Sequence, residues 1–261
     1  MNMNVIKSKY NELCLSIYLR LLPLIKDFNS KLRSYFSQQQ KEVIKNIKSD
    51  SISYSYFYDT SKYVEKLIKL YSEQSVNAIK LGLDRGKAES DSDYTKDLLQ
   101  YLSEQYTTST ITTIATYIEN TTIKILNKLY KKYVSGEISK SEFIDKVNEY
   151  YNSDFKSWRS KEIAQTEIYR AFHFAYFTFM VSQGYYYKKY IACFNSPDSK
   201  SKLIHNQVKF YLEEFYIPLQ GCTNCKGLFP PLHPNSRATI LMLKSPHKSL
   251  NNEITLSLNL T

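Results

Sequence analysis

The sequence predicts an α+β protein that is predominantly α-helical, with a long helical N-terminal part and a small β-containing C-terminal module. Three observations lead there. Apolar residues recur every three or four positions through most of the first 184 residues. Glycine is scarce, only 6 in 261 residues, which argues against a turn-rich sandwich. Prolines and alternating apolar runs gather after Gly184. The chain carries neither a GxGxxG nor a GxxxxGK(S/T) phosphate loop.

The elements follow in order. Residues 5–22 fit an amphipathic helix with Val5, Leu13, Ile17 and Leu21 on one side, and Pro23 is expected to kink or end it. Residues 27–48 continue in polar, helical style. Ser49–Asp59 alternates serine and tyrosine and reads as a connection. A helix then starts at Ser61, with Val64, Leu67, Ile68 and Tyr71 inward, and Gly82 or Gly86 is the expected stop. Residues 84–95 read as a polar loop. From Thr108 to Tyr133 the spacing of Ile111, Ile114, Ala115, Ile118, Ile125 and Leu129 is helical, and Gly136 ends the run. Ser139 and Glu142 then form a capping-box pattern before a helix burying Phe143, Ile144, Val147, Tyr150 and Tyr151.

The next helix, Ser160–Gln183, lines up Ala164, Ile168, Ala171, Ala175 and Phe179 and is closed by Gly184. Its small residues should admit another backbone closely. Tyr187–Phe194 and Ala238–Leu243 read as strands, and Glu253–Leu260 alternates strictly as a strand-like tail. The expected domains are therefore a helical region 1–83, a second helical part 84–184, a β-containing module 185–245 and the tail 246–261.

The formal charge of +10 suits anionic partners: nucleic acid, an acidic protein or an anionic surface. No run approaches the roughly 20 apolar residues of a membrane span. Four cysteines, two of them isolated at Cys14 and Cys193, do not form a disulfide scaffold.

Several residues are candidates for chemistry. Glu167 flanks the apolar stripe of its helix, where a carboxylate needs a partner; the expectation is a buried polar pin joining helix to β module, rather than a catalytic acid. Cys222 and Cys225 form a CxxC, and with His205 and His233 they could supply a tetrahedral set for structural zinc. The same residues with Asn235 admit a metal-dependent nuclease as the alternative. Trp158 and Arg159 are expected to pack as a staple, and His173 to be packed or at the surface.

The stretch Pro230-Pro231-Leu232-His233-Pro234-Asn235, followed by Arg237, makes a stiff loop that holds one imidazole. Together with Gly136-Glu137-Ile138-Ser139, the helix from Arg159 to Arg170 carrying Ala164-Gln165-Thr166-Glu167, Gly184 before an aromatic strand, and Asp198 with His205, it resembles the phage Mu F-like minor head proteins, the phage head morphogenesis family. The similarity runs from about Leu81 to Leu243. That family usually has cysteines flanking the arginine, where this chain has Ser236 and Ala238. The resemblance implies a minor capsid protein of a tailed phage, made in the host cytoplasm and built into the virion at low copy near the portal vertex. It implies contacts with portal and capsid proteins and with packaged double-stranded DNA through a basic surface, ejection with the DNA in some cases, and a homo-oligomer around the portal. It implies no catalytic turnover. The motif residues it singles out are Arg159, Thr166, Glu167, Arg170, Asp198, His205, Pro231, His233, Pro234, Asn235 and Arg237. The first eighty residues, outside the similarity, are expected to adapt the protein to its own capsid or portal.

Overall fold

The computed structural model describes residues 3–49, 58–193, 200–218, 225–234 and 236–246. The described residues are 73% helical, with a few short antiparallel strands in the C-terminal part, the α+β class that the periodicity predicts. The helices are α1 (Met3–Lys48), α2 (Thr60–Ser90), α3 (Lys96–Tyr106), α4 (Thr112–Val134), α5 (Lys140–Tyr150) and α6 (Ser160–Ser182). π-helical turns at Thr107–Ile111 and Tyr151–Arg159 join α3 to α4 and α5 to α6. The strands are β1 (Tyr187–Ile191), β2 (Val208–Phe210), β3 (Phe215–Tyr216), β4 (Lys226–Gly227) and β5 (Thr239–Leu243), with a 3₁₀ turn at Lys200–Ile204. No helix of the described residues is long and apolar enough to cross a membrane.

The described residues divide into two compact units that interleave along the chain. One takes Met1–Ile25, Gln74–Ser103 and Gln165–Thr261; the other takes Lys26–Glu73 and Glu104–Ala164. The contiguous split at residues 83 and 184 differs from this because α1, α2, α3 and α6 each contribute residues to both units.

In the first unit β1 is the central strand of a three-stranded antiparallel sheet, order β2-β1-β5. Its register with β5 runs from Tyr187 opposite Leu243 to Ile191 opposite Thr239, so the two strands expected from alternation pair with each other. Every residue of β5 is buried. β3 and β4 form a separate two-stranded ladder. The face of α6 meets α2 at two glycines. A methyl on Gly82 would lie 2.2 Å from the Phe172 carbonyl oxygen, and one on Gly86 would lie 2.5 Å from the Phe179 ring. These glycines do not stop the helix, which runs on to Ser90; they let α6 approach, as the small residues of α6 suggest. The expected polar loop at 84–95 accordingly shrinks to the few residues after Ser90.

Pro23 does not end α1 either. A proline inside a helix removes one hydrogen bond at a cost of about 3 kcal/mol. Around it, Ile17, Leu21, Ile25, Phe28 and Leu32 are all buried, and each such side chain contributes roughly 1.5–3 kcal/mol. Burial along the helix outweighs the local defect. Most of the segment 49–59, and the tail 246–261 beyond Pro246, lie outside the described residues.

The second unit holds the capped hairpin as expected. Gly136 sits at φ +74 at the end of α4. Ser139 Oγ accepts from the Glu142 backbone N–H at 3.2 Å, and Glu142 accepts from the Ser139 N–H at 2.7 Å. Phe143 and Val147 are fully buried, whereas Ile144 is only half-buried. Phe36 stacks on Phe155 at 4.2 Å. The periodicity of α4 also buries a carboxylate that no apolar pattern announces. Glu119 is 0% exposed. It accepts from Tyr35 Oη at 2.8 Å, from Gln39 Nε2 at 3.0 Å and from Tyr58 Oη, and Tyr151 Oη in turn donates to Gln39 Oε1 at 3.0 Å.

Burial holds the Glu119 carboxyl above the ordinary value of 4.5, against the pull of its hydrogen bonds from Tyr58, Tyr35 and Gln39 and of the Arg159 charge. An acid whose folded pKa is raised binds more protons folded than unfolded, so its contribution is full below the unfolded value and is lost as pH rises through the folded one. Glu119→Gln removes that titration. In urea denaturation, wild type should therefore lose stability relative to Glu119→Gln as pH rises from 4.5 upward. A wild-type-minus-variant difference that stays flat with pH would contradict this assignment.

Candidate functional site

The proline-rich loop is positioned by β1, the 3₁₀ turn and the strand that follows it, all in one unit. Pro230-Pro231 is a cis peptide, Leu232 is buried, and Phe229 packs against Phe177 with ring centroids 5.4 Å apart. At the centre is Ser201, 1% exposed. Its Oγ lies 3.2 Å from His233 Nε2, 3.0 Å from Tyr190 Oη and 3.1 Å from Ser236 Oγ. His233 Nδ1 lies 3.0 Å from the Pro234 carbonyl oxygen. A carbonyl only accepts, so in the neutral ring the proton sits on Nδ1 and Nε2 accepts. Ser201 therefore donates to His233, and the Tyr190 and Ser236 hydroxyls donate to Ser201. Ser236 Oγ accepts the Ala238 N–H at 3.3 Å.

A serine and a histidine 3.2 Å apart have the spacing of a nucleophile and its base. Here the hydroxyl is buried and receives two further hydroxyls, so the pair ties the loop to β1 and presents no reactive oxygen to solvent. Ser236 supplies one of the ties.

The other predicted residues lie around this centre or away from it. His205 Nδ1 accepts the Ala192 N–H at 3.2 Å, and its ring meets Tyr10 edge-on at 5.0 Å. The Arg237 guanidinium lies over the Tyr18 ring at 3.9 Å. Thr166 and Glu167 are buried on α6. Glu167 accepts from Arg170 on its own helix rather than pinning the β module, which corrects the expectation for it; burial raises its pKa and Arg170 opposes that. In the second unit Arg159 covers the Phe155 ring at 4.5 Å, while Trp158 is 56% exposed and is no packing staple. Asp198, Cys222 and Asn235 lie outside the described residues.

Of the four expected metal ligands, Cys222 lies outside the described residues; among the described residues there is no group of three His, Cys, Asp or Glu that could hold a metal ion. Cys225 is disulfide-bonded, and an oxidised sulfur offers no thiolate. His205 and His233 are each engaged with protein groups as above.

The polar pin that Glu167 was expected to provide is made by a different residue. Arg85 on α2 is 3% exposed. Its Nε donates to Glu89 at 2.7 Å, one Nη to Thr239 Oγ1 at 2.9 Å and the other to the Ile240 carbonyl at 3.0 Å. Its guanidinium lies 4.0 Å over the Tyr176 ring. Tyr176 Oη donates to Glu89 and accepts the Met242 N–H at 3.3 Å. His173 bonds Thr239 Oγ1 through Nε2 at 3.0 Å and the Tyr169 carbonyl through Nδ1 at 2.8 Å. Burial first, and Arg85 beside it, push the His173 pKa down to about 3, so the ring stays neutral and Thr239 is its donor. One cation thus joins α2, α6 and β5. The signal for it is Arg85 and Glu89 four residues apart, an ion-pair spacing that marks a helix within a stretch whose polarity suggests a loop.

A second buried base accompanies the sheet. Lys188 Nζ donates to the Tyr211 carbonyl at 3.0 Å and lies 5.3 Å and 5.2 Å from the Phe177 and Phe215 ring centres. Burial pulls its pKa down to about 8.

Ser201→Ala should cost about 1–3 kcal/mol, because it removes the buried hydrogen bonds that His233 Nε2, Tyr190 Oη and Ser236 Oγ make to this hydroxyl, and should speed amide exchange at Ala238. Stability within about 0.5 kcal/mol of wild type, the range of neutral surface changes, would show that the node does not hold the loop. No family model, no curated protein and no solved structure matches this chain.

Proposed function

We propose that this chain is a minor capsid protein of a tailed phage, acting in head morphogenesis near the portal vertex, with contacts to portal and capsid proteins and to packaged DNA. The observation that carries the reading is the loop around His233. The stretch Pro231-Leu232-His233-Pro234 with Arg237 is the most specific part of the resemblance to the Mu F-like minor head proteins. In this chain the loop is anchored by Ser201 to β1, the strand that follows Gly184. α6, which carries Thr166 and Glu167, lies in the same compact unit. Segments up to about 70 residues apart in sequence, all from the similar stretch, are therefore parts of one framework.

The anchoring also gives the loop a reading as an assembly element. A loop whose histidine and serines are satisfied internally offers shape and a fixed backbone rather than reactivity. The charge of +10 favours anionic neighbours through salt-dependent contacts.

Quantitative mass spectrometry of purified phage particles, DNA-filled and DNA-emptied, tests the reading. A few copies per filled particle is the expected result. Retention in emptied particles would mark a fixed portal-vertex component, and loss would mark a protein that leaves with the DNA. Absence from both would overturn the proposal.

A further inference from the structure

α4 carries a face without a single acid. Thr113, Tyr117, Asn120, Lys124, Lys128 and Lys131 follow one another at steps of three or four residues, and all are exposed, Tyr117 to 71%. Such spacing puts them in one stripe along the helix. The stripe is roughly 27 Å long at 1.5 Å per residue. The only acidic residue of α4, Glu119, is buried among Tyr35, Tyr58 and Gln39 and cannot neutralise it. The next lysine, Lys132, is paired with Glu137. Lys124, Lys128 and Lys131 have no ion pair among the described residues. With Asn127 these three line a surface groove of about 390 Å³.

We propose that this face of α4 is a binding surface for the phosphodiester backbone of duplex DNA, without sequence preference. Three arguments favour that partner. Lysine, threonine, asparagine and tyrosine are side chains that contact phosphates. The groove contains no apolar side chain to anchor a protein, and lysine is depleted in protein interfaces. The length of the stripe spans about eight phosphate steps of one strand at 3.4 Å each. The lysines are point charges, suited to phosphates and not to reading bases, since bidentate base contacts call for the arginine fork. The surface supplies the DNA contact named under the proposed function. It rests on that reading only for where the DNA comes from.

The test measures binding of the full chain to a fluorescent random-sequence duplex by anisotropy across a salt series. Two triple variants are compared: Lys124→Gln/Lys128→Gln/Lys131→Gln on the stripe, and Lys41→Gln/Lys45→Gln/Lys69→Gln elsewhere, with the same charge removed. The stripe variant is expected to weaken binding and to reduce the slope of log K against log salt by roughly 2.7, at about 0.9 per phosphate released. The control should keep most of both. Acetylation of wild-type protein by an N-hydroxysuccinimide ester, with and without DNA, gives a readout free of any folding defect: DNA should protect Lys124, Lys128 and Lys131 selectively. Equal losses in the two variants, uniform protection, or absence of binding would overturn the proposal, as would a preference for phosphatidylserine vesicles over DNA. A protein found in particles that binds no DNA sinks this inference and leaves the head-protein reading standing. DNA bound through the stripe by a protein absent from particles does the reverse.

Discussion

The first compact unit depends on a guanidinium that has lost its water. Arg85 is buried with Glu89 as its counter-charge, Tyr176 beneath its plane, and the Thr239 hydroxyl and Ile240 carbonyl at its far side. Two charges in a dry interior are tolerable when further hydrogen bonds satisfy them, and here three N–H groups of the arginine fork meet acceptors on the same helix and on β5. Removing one partner from such a pair costs about 3–5 kcal/mol. The pair does more than neutralise itself. Through Thr239 it orders the neutral His173, and through Glu89 it orients the Tyr176 hydroxyl toward the Met242 amide. The sheet is therefore registered against the helices by polar contacts, within a core that is otherwise apolar and aromatic.

That arrangement changes how the β-containing region is understood. Read alone, residues 185–245 look like a module with too little core, for which zinc would be a natural support. In the folded chain β5 is buried throughout and β1 in all but Tyr187, β5 is tied to α2 and α6, and the proline-rich loop is tied to β1 through Ser201. The helices supply the burial that the strands cannot. The same logic explains the glycines of α2: α6 carries a buried surface nearly all round, and it can sit close to α2 only where no Cβ intervenes.

What the sequence discloses depends on whether the cause is local. The capping box at Ser139 and Glu142, the left-handed glycines at 136 and 184, and the alternation of β1 and β5 are all written within a few residues and hold in the structure. Pro23, Gly82 and Gly86 carry strong local signals that point the wrong way, because the reason each is tolerated lies in another part of the chain. Glu119 and Arg85 are the extreme case. Nothing adjacent announces that two donors from α1 and one from Tyr58, just before α2, will meet one, or a strand some 150 residues later the other. The candidate site divides similarly. The loop around His233 is visible as a proline pattern, but its partner Ser201 sits in a stretch with no motif.

The head-protein reading and the buried cation are linked by what an assembly protein needs, a rigid scaffold that presents surfaces. If Arg85 is what makes the first unit rigid, residue-level hydrogen exchange on Arg85→Met, compared with wild type, is the direct test. The account predicts that amides of β5 and of the buried face of α6 lose protection together, as one cooperative element, while α5 and its capping box keep theirs. A folded variant whose Ile240 and Met242 amides exchange as slowly as in wild type would contradict it.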